Sequence, residues 1–430
     1  MNPSHPTKPL PEKVIRRLEQ ILFDLLPLLN QAVQNGRPAD AELNQWMRNH
    51  RELGSRDRRF LSQAVFRHFR WYGWAHRTLQ LNLPAATLLS ALLEEPDSTQ
   101  WIEHLSQHNT FPEPLEPLGQ AKLEEKVERL TQTFHLPLAT HQLITPEAPQ
   151  VISPELLEKA LPAFQQRMPL WIRTRASITD MQEALTAEKI DSTPHPFTLS
   201  ALSIPSGINL KQKLTERTGQ FVVQDLASQC VALVCAPLAG QLWWDACAGS
   251  GGKALHLADL MQQQGAVVAS DPRIDALSEL KKRARACGIR TIQMQALDAT
   301  KAVPGEERYD GVLLDAPCSG WGTWSRNPDA RWRTSLKEVR QAARRQAAIL
   351  HSAARAVKPG GILVYAVCTI TLPETTEQLN AFLAAHPNFE LEPFHHPLTG
   401  EPTNGTLQLI PSKHDGMFIA RLRKQAASTP

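Results

Sequence analysis

Residues 243–261 read WWDACAGSGGKALHLADLM. An apolar run ends in an acid, a glycine-rich turn follows, and a helical pattern takes over. Gly249, Gly251 and Gly252 permit a tight turn and close approach of a ligand to the backbone, and the helix N-terminus at Lys253 offers free N–H groups. No GxxxxGK[ST] is present, which excludes a Walker A loop, and no strict GxGxxG, which weakens nicotinamide binding. Strand, glycine turn and helix together predict the opening unit of an α/β sheet.

Working outward, the same alternation continues. Strands are expected at 241–247, 266–271, 291–296, 309–315 and 361–368, with helices between them, the clearest at 335–357. Such repetition predicts a mainly parallel, Rossmann-like sheet with helices on both faces. Residues 406–410 and 417–423 are expected as an antiparallel edge pair. Three aspartates end or follow successive strands: Asp271, Asp298 and Asp315. An acid about twenty residues beyond a glycine turn is spaced to meet ribose hydroxyls. Together the three suit a cofactor bearing ribose and adenine, with Asp298 towards the adenine edge and the reactive end towards Asp315.

Residues 309–333, YDGVLLDAPCSGWGTWSRNPDARWR, deliver Asp315 at a strand end and Cys318 in the turn that follows. Pro317 cannot donate to a ladder and stops the strand. Residues 360–379, GGILVYAVCTITLPETTEQL, bring a second thiol, Cys368, to the end of a neighbouring strand, with a helix capped near Pro373–Glu374. Two thiols at one sheet edge without metal-ligand spacing point to nucleophilic chemistry. Spacing alone does not say which of them attacks.

The N-terminal third has another character. Residues 14–33 show helical periodicity, with Pro27 expected to kink or split the helix. Residues 56–78, RDRRFLSQAVFRHFRWYGWAHRT, set an apolar stripe among Arg56, Arg58, Arg59, Arg67, Arg70 and Arg77, with Trp71, Tyr72 and Trp74 interleaved. Arginine forks fit phosphates and aromatic rings stack on bases, so this helix is either an RNA-contact face or a solvated face with aromatic core anchors. The expected organisation is a helical domain over 1–110, a proline-rich linker with one helix over 111–153, a small β-α-β subdomain over 154–215 and an α/β domain over 216–425. In the subdomain, Trp171, Arg173 and Arg175 are placed either against nucleic acid or in the core.

Composition bounds the rest. The 430 residues suit two or three domains, and 42% hydrophobic against 21% charged residues describes a core-forming chain. A net charge of +3 does not by itself indicate nucleic acid. The six cysteines form no CxxC pair, so no zinc site, no metal and no disulfide framework is expected, and a reducing cytoplasm fits. The start, MNPSHPTKPLPEK, lacks the apolar core of a signal peptide, and no apolar run is long enough for a membrane span.

These blocks resemble those of the RNA (cytosine-5) methyltransferases of the RsmB/Sun type. DAPCSGWGTWSRNPDARW, VQDLASQ, the turn ending GGK and the closing HDGMFIARL carry the resemblance, from about residue 169 onward and more loosely before it. Ser250 stands where the family usually has proline, Val367 and Thr369 where Thr and Ser are common, and Met417 where Phe is usual. The resemblance implies S-adenosylmethionine held by Cys247, Ala248, Gly249, Ser250, Gly251, Gly252 and Lys253 with Asp271, Asp298 and Asp315. It implies Cys368 as nucleophile, Cys318 in product release and Asp315 holding the base. It also implies a NusB-like fold for the helical domain, an RNA partner, ribosomal RNA first, and a monomer. Transfer RNA as substrate is one alternative. A non-catalytic assembly factor is another, opposed by the presence of both thiols. A nicotinamide dehydrogenase is a third, opposed by the incomplete glycine fingerprint.

Overall fold

The computed structural model describes residues 10–94 and 99–426. The N-terminal stretch that lacks a signal-peptide core falls largely on residues 1–9, outside the described residues. The chain forms two compact units, one of Met1–Gln150, Leu157–Gln166 and Trp324–Thr334, the other of Val151–Leu156, Arg167–Thr323 and Ser335–Pro430.

The first unit is helical among its described residues. Its longest helix, Glu12–Gln34, buries Ile15, Leu18, Leu22, Leu25, Leu26 and Leu29, the spacing of one apolar face. Pro27 does not split this helix. The ring lies on the exposed face, where water can meet the carbonyl that loses its partner. Ser55–Tyr72 is also helical and continues into a π-helical turn, Gly73–Thr78. The proline-rich stretch read as linker contains the helix Leu123–Phe134 and buries Leu118, Leu130, Leu138 and Leu143. Its leucines dock into the unit between the prolines.

The arginine-aromatic helix is chiefly structural. Trp71 and Trp74 are fully buried, and their ring N–H groups donate to Glu94 at 3.0 Å and to the Ala139 carbonyl at 2.9 Å. Arg70 and Arg67 are buried against Glu94, at 2.5 and 3.6 Å. Arg58 donates to the carbonyls of Leu53, Met47 and His50, closing the end of the helix Ala39–Asn49. Only Arg56, Arg59 and Arg77 of the six lie on the exposed face.

The second unit carries two sheets. In the smaller, β1 (Leu170–Thr174), β2 (Thr193–Pro194), β3 (Ala201–Ile204) and β4 (Phe221–Val223) lie in the order β2-β3-β1-β4, all antiparallel. Neither tryptophan nor arginines here are offered to nucleic acid. Trp171 is buried and donates to the Lys413 carbonyl at 2.7 Å. Arg173 and Arg175 both clasp Asp259, at 2.7 and 2.9 Å, and so pin this sheet to the helix Gly252–Leu260.

The larger sheet comprises β5 (Leu242–Asp245), β6 (Ala266–Asp271), β7 (Ile292–Ala296), β8 (Tyr309–Asp315), β9 (Val357–Val367), β10 (Phe389–Leu391), β11 (Thr406–Leu409) and β12 (Met417–Lys424). Its order is β10-β12-β9-β8-β5-β6-β7, with β11 also paired to β12. The strands β5 to β9 run parallel, as the apolar runs predict, and β12 enters antiparallel beside β9. Thus β11 and β12 do pair, but β12 is interior and not an edge. Its sequence fits that place: Phe418, Ile419, Ala420 and Leu422 are buried. Strand order reverses at β5, so the crevice beyond its carboxyl end is where an open α/β sheet receives ligands. Among the described residues no helix is long and apolar enough to cross a membrane, and no group of three or more His, Cys, Asp or Glu is arranged to hold a metal ion.

Candidate active site

Every expected site residue lies at or just beyond the carboxyl edge of this sheet. The turn after β5 is shaped by Gly251, which sits at φ +84° with the position of an added Cβ only 2.0 Å from Leu280 Cδ1. The turn closes on itself and on its neighbours. Gly251 N–H donates to the Ala248 carbonyl at 2.8 Å, and Ala248 N–H to that of Ser270 at 2.9 Å. Ser250, at the usual proline position, accepts from Arg283 at its carbonyl and hydroxyl oxygens, at 2.8 and 3.1 Å. Cys247 is half-buried at the mouth of the turn. Burial pushes its thiol up.

Asp271 accepts from the Gly249 N–H at 3.0 Å and from Arg273 at three points. Burial alone would raise its carboxyl, but the Arg273 hydrogen bonds hold it below the ordinary value, so it remains a carboxylate. Asp298 is not drawn into this group by any described contact. It accepts from the backbone and hydroxyl of Thr300, at 3.0 and 2.7 Å, in a local turn that depresses its carboxyl.

The opposite wall holds the reactive groups. Lys253 Nζ meets Asp315 Oδ2 at 2.6 Å. Burial would lower the ammonium's pKa, yet Asp315 raises it, and Cys368 and Asp245 add to the effect. The sulfurs of Cys318 and Cys368 lie 3.1 Å apart without a bond between them. Their approach follows from the pairing of β8 with β9, in which Asp315 registers with Ala366. A glycine completes it. Gly322 N–H donates to the Cys368 carbonyl at 3.2 Å, and an added Cβ there would come within 2.4 Å of the Gly416 carbonyl. The hydrogen bond to Cys368, then burial, pushes the Cys318 thiol well above its ordinary value.

Two residues of this region were not legible as functional. Asp245 falls within the strand expected over 241–247 and was not singled out. It is buried, and neither carboxyl oxygen makes a hydrogen bond. Burial, with Asp315 nearby, pushes its carboxyl up to about 7. The signal was its place directly before the glycine turn. Glu374 was read only as part of a helix cap, and it is fully buried. Nothing in the letters PETTEQ marks that burial.

The site also fits a cationic cofactor that carries ribose. Asp245 is a buried, unpaired carboxyl that a ligand ammonium would satisfy. Asp271 is an ionised carboxylate beside backbone N–H groups, where hydroxyls can be held.

Residues 232–423 match the profile of the 16S rRNA methyltransferase RsmB/F family. A probable ribosomal RNA small subunit methyltransferase B from Synechocystis is 36% identical over 242 residues, 53% of this chain and 54% of that protein. Mouse tRNA (cytosine(72)-C(5))-methyltransferase NSUN6 is 38% identical over 192 residues, 42% of this chain and 40% of that one. The chain spans about half the length of the curated relatives it matches. In fold, the crystal structure of PH0851 covers 97% of this chain and 99% of its own at a TM-score of 0.71 and 23% identity. The larger sheet is therefore a Rossmann-like α/β sheet, and residues 232–423 are similar to the RsmB/F methyltransferases.

Proposed function

We propose that this chain methylates carbon 5 of cytosine in RNA, using S-adenosylmethionine and a transient bond between Cys368 and carbon 6. The observation that carries this reading is the pair of unlinked thiols 3.1 Å apart, set beside the Lys253–Asp315 ion pair. The names of the relatives point the same way.

Carbon 5 of cytosine is a poor nucleophile, which a thiol can correct. Addition of the Cys368 sulfur to carbon 6 pushes the ring electrons towards carbon 5. Cys318 supports attack by its neighbour, since its S–H can donate to a thiolate at Cys368, and the Lys253 ammonium adds a counter-charge. Asp315, held by Lys253, is the group to accept from the ring's amino group, and from N3 once N3 has taken up a proton, a preorganised electrostatic role. S-adenosylmethionine, when bound, supplies an electrophilic methyl group. The residues to hold it are the 247–253 turn and Asp271, with Asp245 facing its ammonium and Asp298 towards its base. Cys318, once its own proton has passed to solvent, then takes the carbon 5 proton; that C–H electron pair re-forms the carbon 5–carbon 6 double bond, and the sulfur of Cys368 leaves carbon 6 as a thiolate. The base must leave its stack to be reached, which favours single-stranded or loop RNA.

Ribosomal RNA is the preferred substrate. Relatives named for the small ribosomal subunit match 220 to 284 residues, whereas the transfer RNA enzyme matches 192. The higher identity of that shorter match keeps transfer RNA as the second reading. Mapping 5-methylcytosine in both RNAs, from cells with and without this protein, tests the two. Loss of a ribosomal mark is expected; loss confined to transfer RNA selects the second reading.

A further inference from the structure

Behind the two thiols lies a buried carboxylate that the chemistry above does not use. Glu374 Oε1 accepts from the Ser319 backbone N–H at 2.8 Å and from Gln346 Nε2 at 3.0 Å. Its Oε2 accepts from the hydroxyls of Ser319 at 2.5 Å, Thr371 at 2.7 Å and Thr369 at 3.4 Å. The Ser319 and Thr369 hydroxyls also meet at 3.1 Å. Gln346 Nε2 reaches the Pro317 carbonyl as well, at 3.0 Å, and Tyr365 O–H is shared between Gln346 Oε1 and the Glu374 carbonyl. Glu374, Gln346, Thr369, Thr371 and Tyr365 are all fully buried.

Pro317 and Ser319 flank Cys318, and Thr369 follows Cys368. One carboxylate thus ties down the residue after each thiol, and through Gln346 the residue before Cys318. We infer that Glu374 is a positioning residue that fixes the Cys318 turn and the Cys368 turn against each other. The inference rests on the proposed reaction for its meaning and on these contacts for its geometry. Five donors around one side chain call for an acceptor-only group, which an ionised carboxylate is and an amide is not. A merely structural role would end there. The charge has a second consequence, because Glu374 is among the groups that raise the Cys318 thiol, after the Cys368 hydrogen bond, burial and the Cys368 charge. The same residue that sets the spacing of the sulfurs also helps to keep Cys318 protonated, and so to leave attack to Cys368.

Two variants of the full chain separate these roles. Glu374→Gln keeps size and shape but removes the charge; Ser319→Ala removes one link and keeps the charge. Iodoacetamide alkylation of Cys318 and Cys368 is read by mass spectrometry across neutral to alkaline pH. Methylation of a small-subunit RNA transcript gives kcat and KM, with near-ultraviolet circular dichroism as the check on folding. In Glu374→Gln the Cys318 alkylation profile moves to lower pH, with a rate about tenfold higher below both midpoints for a shift of one pH unit. Its kcat falls while KM for RNA holds. In Ser319→Ala kcat falls severalfold and the Cys318 profile stays in place. An unmoved Cys318 profile in Glu374→Gln, or a parental kcat in both variants, overturns the inference. A parent chain that methylates no RNA refutes the proposed reaction instead, and the alkylation profiles still judge Glu374.

Discussion

Lys253 and Asp315 stand 62 positions apart in the chain and meet at 2.6 Å, ammonium nitrogen to carboxylate oxygen. The pair couples the glycine turn after β5 to the end of β8, the two strands that meet where the sheet order reverses. The same ammonium, paired to Asp315, lies within electrostatic reach of Cys368, so the proposed attack draws on it as well. In Lys253→Met, Cys368 alkylation at neutral pH should slow, because a neighbouring cation favours the reactive thiolate. Methylation should fall at least as far. A Lys253→Met chain with parental Cys368 alkylation would show that the ammonium serves Asp315 alone.

Asp245 predicts a pH-dependent cost of folding. Its carboxyl rises from an ordinary 3.8 to about 7 because it is buried and near Asp315. Below 3.8 it is protonated in folded and unfolded chains alike, and contributes no pH dependence. Between 3.8 and about 7 the unfolded chain gives up this proton while the folded chain keeps it. The folded state then binds more protons, so stability falls as pH rises through that window. Asp245→Asn removes the ionisation. Its gain in stability over the parent, followed by Tm, should be small in acid and grow up to about neutral pH, by up to about 4 kcal/mol. S-adenosylmethionine affinity, measured by calorimetry, should drop in the same variant, because the amide cannot pair with an ammonium. A Tm difference that is flat with pH would mean that Asp245 ionises freely in the fold.

The arginine helix of the first unit separates into two groups under substitution. Arg67 is buried against Glu94, so Arg67→Ala leaves buried polar groups short of partners and should cost about 3–5 kcal/mol. Arg59 is exposed, and Arg59→Glu should leave stability within about 0.5 kcal/mol of the parent. If this face meets RNA, the contact belongs to Arg56, Arg59 and Arg77. Reversing Arg59 and Arg77 should then weaken RNA binding and flatten its salt dependence. Unchanged affinity in that double variant would make the face solvated and no more.

The sequence carried the catalytic unit further than the helical one, for a physical reason. Parallel strands buried on both faces read as apolar runs, and residues 266–271 and 309–315 coincide with β6 and β8. Strand ends also fix where Asp271, Asp315 and Cys318 stand, because a parallel sheet gathers its carboxyl ends on one edge. Burial of polar groups was hidden. Arg67, Arg70 and Arg173 look like surface cations until Glu94 and Asp259 are placed opposite them, and those pairings depend on tertiary packing. Glu374 was missed likewise, since the donors it gathers come from residues 319 to 371 on three separate segments. The antiparallel entry of β12 between β9 and β10 is another long-range choice that no local pattern shows.

The central claim is a division of labour between Cys318 and Cys368, and trapping of a protein–RNA bond tests it most directly. Each cysteine is replaced by alanine, and each variant is incubated with labelled RNA and S-adenosylmethionine, then denatured and run on a denaturing gel. Cys368→Ala should give no shifted band and no methylation, with S-adenosylmethionine binding intact. Cys318→Ala should attack and methylate, then stall before release, leaving a shifted band that survives denaturation. A band from Cys368→Ala and none from Cys318→Ala would make Cys318 the nucleophile and contradict the account.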